Sequence, residues 1–123
     1  FLPGDLLTDI PIATSDKDIY LLSAILHGFS DEICIKILAN LASACAATGS
    51  CIAVMELVLS ESRAGLTGAS FDMQMFMATR GRERTLDEWR KLFDRCELQL
   101  AEVVSLQSFA KIMVMRPTNP RYA

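Results

Sequence analysis

Two apolar runs flank a helical repeat between residues 18 and 59: DIYLLSAIL at Asp18–Leu26 and CIAVMELVL at Cys51–Leu59. The first run follows the polar Thr14-Ser15-Asp16-Lys17 and stops at His27-Gly28-Phe29. Its length and continuous apolarity predict a strand buried on both faces, as in a parallel sheet. Ser30 is then a candidate helix N-cap, with Asp31 and Glu32 in the first turn, where acids oppose the helix dipole favourably. Cys34, Ile37, Leu38, Leu41 and Cys45 recur at helical spacing, and Gly49 supplies a stop. The second run reads as another buried strand, broken only by Glu56. Strand, helix, strand makes a βαβ unit whose strands are parallel and adjacent or nearly so.

Outward from this unit, residues 60–67 read as a polar loop and Phe71–Ala78, with three Met, as a helix. Gly81-Arg82-Glu83-Arg84 reads as a charged loop. Thr85 and Glu88 have capping-box spacing and open a helix whose inner face is Leu86, Trp89, Leu92, Phe93 and Cys96. Leu98–Leu106 and Phe109–Met115 predict an antiparallel hairpin at a sheet edge, and the tail after Pro117 is expected to fray. The whole pattern is β-α-β-α-α-β-β, an α/β fold of parallel strands with an antiparallel finish. No Gly-rich phosphate loop occurs in these residues, which excludes a P-loop or a complete Rossmann fingerprint within them.

The chain has 123 residues, 51% of them hydrophobic, which suffices for one domain with a buried core. Twelve basic and fifteen acidic residues are mixed along it, for a net charge of −3. Nucleic acid and anionic membranes are not expected as partners, since both require clustered Lys and Arg. No apolar stretch approaches the roughly 20 residues of a membrane helix, and no signal peptide opens the sequence. Cys34, Cys45, Cys51 and Cys96 form no C-x-x-C pair and read as reduced, packed thiols, so the expected compartment is the cytoplasm. The opening Phe1-Leu2-Pro3-Gly4-Asp5, without an initiator Met, reads as an interior stretch, and a fragment of a longer chain is expected.

Ligands in open α/β sheets bind beyond the carboxyl ends of the strands. His27 ends the first strand and Glu56 lies near the end of the second. A single His after a strand is more often structural than catalytic. A carboxylate inside an apolar strand, however, needs a partner, because burying it unpaired costs several kcal/mol. An imidazole at the neighbouring strand end would serve. Glu83, between two arginines, reads from spacing alone as part of a solvated turn.

Four stretches in order carry a resemblance: Gly4-Asp5-Leu6-Leu7; Asp18-Ile19-Tyr20-Leu21-Leu22 with Ile25–Glu32; Met55-Glu56; and Gly81-Arg82-Glu83-Arg84-Thr85 with Glu88-Trp89. Over about residues 4 to 116 the chain resembles the carboxyl-terminal half of plant-type and bacterial secondary-metabolite O-methyltransferases that use S-adenosylmethionine. The resemblance implies that His27 is the catalytic base, flanked by the acids Glu56 and Glu83. It implies cofactor contacts at Asp5 and Leu6 near the adenine, at Phe29 near the nucleoside and at Ser23. It implies an acceptor-pocket wall on the Met-rich segment, with Phe71, Met75 and Ala78 toward the substrate. About half of the Met and Phe side chains there would serve core packing instead. The chain departs from the family at Gly28, where Asp is usual, at Ser23, where Lys or Arg is frequent, and at Cys96-Glu97-Leu98, where a small-Gly-aromatic turn is usual. The family's Gly-rich cofactor loop and its amino-terminal helical dimerisation domain are not found in these residues, so the resemblance implies the carboxyl-terminal half of a Rossmann-like class I methyltransferase catalytic domain, with helices on both faces of its sheet.

The implied reaction transfers a methyl group from a sulfonium to the hydroxyl of a small aromatic metabolite. Phenols ionise near pH ~10, whereas neutral His, with a pKa of about 6.5, accepts a proton at working pH. No metal is implied. The resemblance also implies a homodimer for the full-length protein. Two other readings stand beside it: a drifted family member with N- or C-methylating or non-methylating chemistry, and a non-catalytic piece that needs a partner chain. In either case an isolated piece of the sheet would expose an unpaired edge.

Overall fold

The computed structural model describes residues 4–59, 84–106 and 110–118. They form β1 (Ile19–Ser23), a 3-10 turn (Leu26–Gly28), α1 (Asp31–Thr48), β2 (Cys51–Leu59), β3 (Arg84–Thr85), α2 (Leu86–Arg95), β4 (Leu98–Ser105) and β5 (Ala110–Pro117). The strand order is β1-β2-β5-β4, with the short β3 also paired to β2. β1 and β3 run parallel to β2, while β5 is antiparallel to both β2 and β4. The βαβ unit and the closing hairpin are therefore as the sequence predicts. The Met-rich segment 71–78 lies outside the described residues.

The register explains the core. Tyr20 and Leu22 on β1 stand opposite Ile52 and Val54 on β2, which stand opposite Met115 and Met113 on β5. These side chains share one face, because alternate residues of a strand point the same way. That face joins a single core with Cys34, Ile37, Leu38, Leu41 and Cys45 of α1 and Trp89, Leu92 and Phe93 of α2. The Trp89 and Phe93 rings stack with centroids 5.9 Å apart. Full burial of such side chains stabilises by about 1.5–3 kcal/mol each.

Both helices begin as their sequences dictate. The Ser30 hydroxyl accepts a hydrogen bond from the Ile33 amide. Thr85 and Glu88 form the reciprocal capping box. At the far end of α1, Gly49 adopts φ 80°, a left-handed conformation that costs glycine little, and its N–H closes on the Cys45 carbonyl at 2.8 Å.

β1 differs from its expected form in two respects. It ends at Ser23, not Leu26, because Ala24 takes a positive φ of 55° and donates its amide to Met55 O. That turn breaks the strand and drops Leu26 into the core through the 3-10 turn. Nor is β1 buried on both faces: Ile19 and Leu21 are each 62% exposed. Among the described residues β1 is an edge strand, paired only with β2. No described helix is long and apolar enough to cross a membrane.

Candidate active site

The two parallel strands β1 and β2 end side by side, with Ser23 opposite Met55, so the residues just beyond are brought together. His27 sits in the 3-10 turn after β1, and Glu56 is the next residue of β2. Glu56 is buried at 2% exposure and would be costly there alone. Among the described residues, the partners of its carboxylate come from the turn. Oε2 lies 2.7 Å from His27 Nδ1, and Oε1 accepts from the amides of Leu26 at 2.9 Å and His27 at 3.4 Å. An ionised carboxylate only accepts, so a neutral imidazole beside one carries its proton on Nδ1 and leaves Nε2 as the acceptor. The imidazole keeps 20% of its surface open, enough to meet a ligand. A neutral ring oriented in this way can take up one proton.

Of the other residues the sequence singles out, Asp5 and Leu6 come together. Both line a cavity of about 230 Å³ with Ile10, Tyr20, Leu22 and Ile25. The loop that presents them is closed by two backbone bonds, Asp5 N–H to Asp9 O at 2.8 Å and Asp9 N–H to Asp5 O at 2.7 Å. Asp5 Oδ1 accepts from Leu7 N–H within the same turn. Asn40 Nδ2 ties the loop to α1 by donating to Leu7 O at 2.9 Å. Tyr20 adds a second tie, its hydroxyl donating to Pro11 O and accepting from Ala13 N–H. Ser23 and Phe29 lie outside the cavity lining: Ser23 is exposed at the end of β1, and Phe29 follows the His27 turn at 37% exposure. Glu83, Phe71, Met75 and Ala78 fall outside the described residues.

One residue of this region escaped the sequence reading. Arg84, assigned to a charged loop, is instead the first residue of β3 and only 1% exposed. Its Nε and Nη2 donate to Asp31 Oδ1 at 2.9 and 2.7 Å. Nη2 also donates to Phe29 O at 3.0 Å and Nη1 to Leu26 O at 3.5 Å. The guanidinium lies over the Trp89 ring, 4.9 Å from its centroid, a favourable placement for a cation. Asp31 is 53 positions away, so no local spacing could announce the pair.

The family model for the O-methyltransferase domain matches residues 1–98. The phenazine O-methyltransferase PhzM of Lysobacter antibioticus is 34% identical over 93% of this chain and 32% of its own. Among solved structures, NcsB1 is an O-methyltransferase from neocarzinostatin biosynthesis, in complex with S-adenosylmethionine and 2-hydroxy-5-methyl naphthoic acid. It matches with a TM-score of 0.79 and 28% identity over 94% of this chain and 32% of that one. A structure described as a pericyclic reaction enzyme matches with a TM-score of 0.82 and 25% identity, over 94% and 30% of the two chains. This chain thus spans about a third of the length of such relatives. On the domain match and the identity together, the chain belongs to the O-methyltransferase domain family.

Proposed function

We propose that the full-length protein is an S-adenosylmethionine-dependent O-methyltransferase acting on a phenolic or similarly acidic hydroxyl of a small aromatic metabolite, with His27 as general base. The observation that carries this reading is the 2.7 Å contact between His27 Nδ1 and the buried Glu56, at the carboxyl ends of two parallel strands. His27 Nε2 takes the acceptor's hydroxyl proton. Glu56 holds the ring in the required tautomer and stabilises the imidazolium that forms, with Glu83 as the second flanking acid. Such help is worth about 10²–10⁴ in rate.

The cavity beside Asp5 and Leu6 suits a purine, since it combines apolar walls with a carboxylate, and Ser23 and Phe29 complete the cofactor contacts. S-adenosylmethionine supplies the electrophilic methyl group when bound. Phe71, Met75 and Ala78 form the acceptor wall. The aromatic ligand in the NcsB1 complex supports an aromatic acceptor here. This chain forms the carboxyl-terminal part of a class I methyltransferase catalytic domain, and the full-length protein is a cytoplasmic homodimer.

The test is S-adenosylhomocysteine formation by the full-length protein with a panel of phenols. His27→Ala should lower the rate at least about 10²-fold, and a rate within about threefold of wild type would overturn the general-base role. The match to a pericyclic reaction enzyme favours one second reading, a family member with non-methylating chemistry. A product of unchanged mass, its connectivity fixed by NMR, would establish that reading instead.

A further inference from the structure

We propose that Arg84 is a positioning residue for His27: its buried guanidinium fixes the backbone turn that presents the imidazole. The inference rests on the general-base reading above. The 3-10 turn is held from two sides by opposite charges on neighbouring parallel strands. Glu56 on β2 accepts the amides of Leu26 and His27, and Arg84 on β3 donates to the carbonyls of Leu26 and Phe29. The carbonyls bracketing His27, one residue before it and two after, thus share one rigid fork.

The fork itself cannot drift. Asp31, in the first turn of α1, takes two of its donors, and the Trp89 ring lies against its face. Cys34 Sγ donates to Leu26 O as well, at 3.3 Å, so α1 and β3 grip the same carbonyl. Such pinning is needed because Ala24, three residues before His27, occupies a conformation L-residues rarely adopt. A chain leaving that position without a clamp has lower-energy alternatives. Lysine could not replace the fork, since a single ammonium cannot serve two divergent carbonyls and a carboxylate in one plane.

A base displaced by about 1 Å forfeits about 10²-fold in rate, but only where a proton must be removed. That condition separates positioning from mere stabilisation. In the full-length protein, Arg84→Lys is assayed with two phenols, one neutral at the assay pH and one already ionised. The expected result is a loss in kcat, at saturating S-adenosylmethionine, of about 10²-fold for the neutral phenol and less than about threefold for the ionised one. Equal loss on both acceptors, or loss on neither, would overturn the proposal. If Arg84→Lys fails to fold, Arg84→Gln takes its place and is judged by the same ratio. A second readout is independent of turnover: the Nδ1 proton resonance of His27, assigned with His27→Gln, should shift or broaden in the Arg84 variant. An unchanged resonance would also overturn the positioning role. Should wild type methylate no phenol, or His27→Ala methylate at the wild-type rate, the general-base reading fails by itself, and the resonance still decides whether Arg84 sets the ring.

Discussion

Glu56 meets His27 at two points, its Oε2 2.7 Å from the ring Nδ1 and its Oε1 3.4 Å from the backbone amide. One buried carboxylate therefore contacts both the backbone that places the imidazole and the ring nitrogen Nδ1. Glu56→Gln separates these roles. An amide oxygen can still accept from Leu26 N–H, but the amide nitrogen would donate to Nδ1 and force the ring proton onto Nε2, removing the acceptor lone pair. In a hydrolytic triad the corresponding tautomer error costs about 10⁴ in kcat. Glu56→Gln is expected to lose at least about 10²-fold on a neutral phenol while keeping a near-native melting temperature. Glu56→Ala should instead destabilise the protein, because each buried amide left unpaired costs about 1–3 kcal/mol. Full activity in Glu56→Gln would disprove the assignment of Nδ1 as the protonated nitrogen.

Gly4 controls the loop proposed to face the cofactor. A Cβ at this position would stand 2.6 Å from the Asp9 carbonyl, the acceptor that closes the loop onto Asp5. Backbone cannot yield as a flexible side chain would, so Gly4→Ala must open the Asp5–Asp9 bridge and shift Leu6. Affinity for S-adenosylmethionine, measured by calorimetry on the full-length protein, should fall about tenfold while kcat at saturation stays within about twofold, the signature of lost uniform binding. Unaltered affinity would remove the 5–9 loop from the cofactor site.

The sequence was informative wherever the deciding interaction is local. Ser30, Gly49 and the Thr85–Glu88 box mark helix ends by contacts between residues no more than four positions apart, and all three are found in place. The pairing of β1 with β2 was readable because a βαβ unit leaves little choice of topology. Glu56 could be read because an isolated acid in an apolar strand is too costly to lack a partner, and the strand order supplied His27. Arg84 shows the opposite case. In sequence it is one charge among several, and its burial depends on Asp31 and two carbonyls more than fifty positions away. The end of β1 is illegible for a related reason: Ala24-Ile25-Leu26 is as apolar as a strand, and the groups that hold it in a turn, Glu56 and Arg84, lie far along the sequence.

The thiols supply a prediction in pH. Burial pushes Cys34 and Cys96 up to about 11, and for Cys34 the nearby Arg84 guanidinium pulls partly the other way. Because the thiolate is the reactive form, neither residue should alkylate in the native protein at about pH 8, whereas both should react once the chain is denatured. The same shift fixes the sign of a stability effect. Between the ordinary thiol value of 9.0 and about 11, the native state holds protons that the unfolded chain has released. Stability must then fall as pH rises through that window, by at most about 1.4 kcal/mol per pH unit for each thiol, and be indifferent to these groups below it. Urea unfolding across the window should show a shallower decline in a Cys34→Ala, Cys96→Ala double variant than in wild type. Identical slopes would mean that neither thiol titrates on unfolding, contrary to their burial against α1, α2 and the sheet.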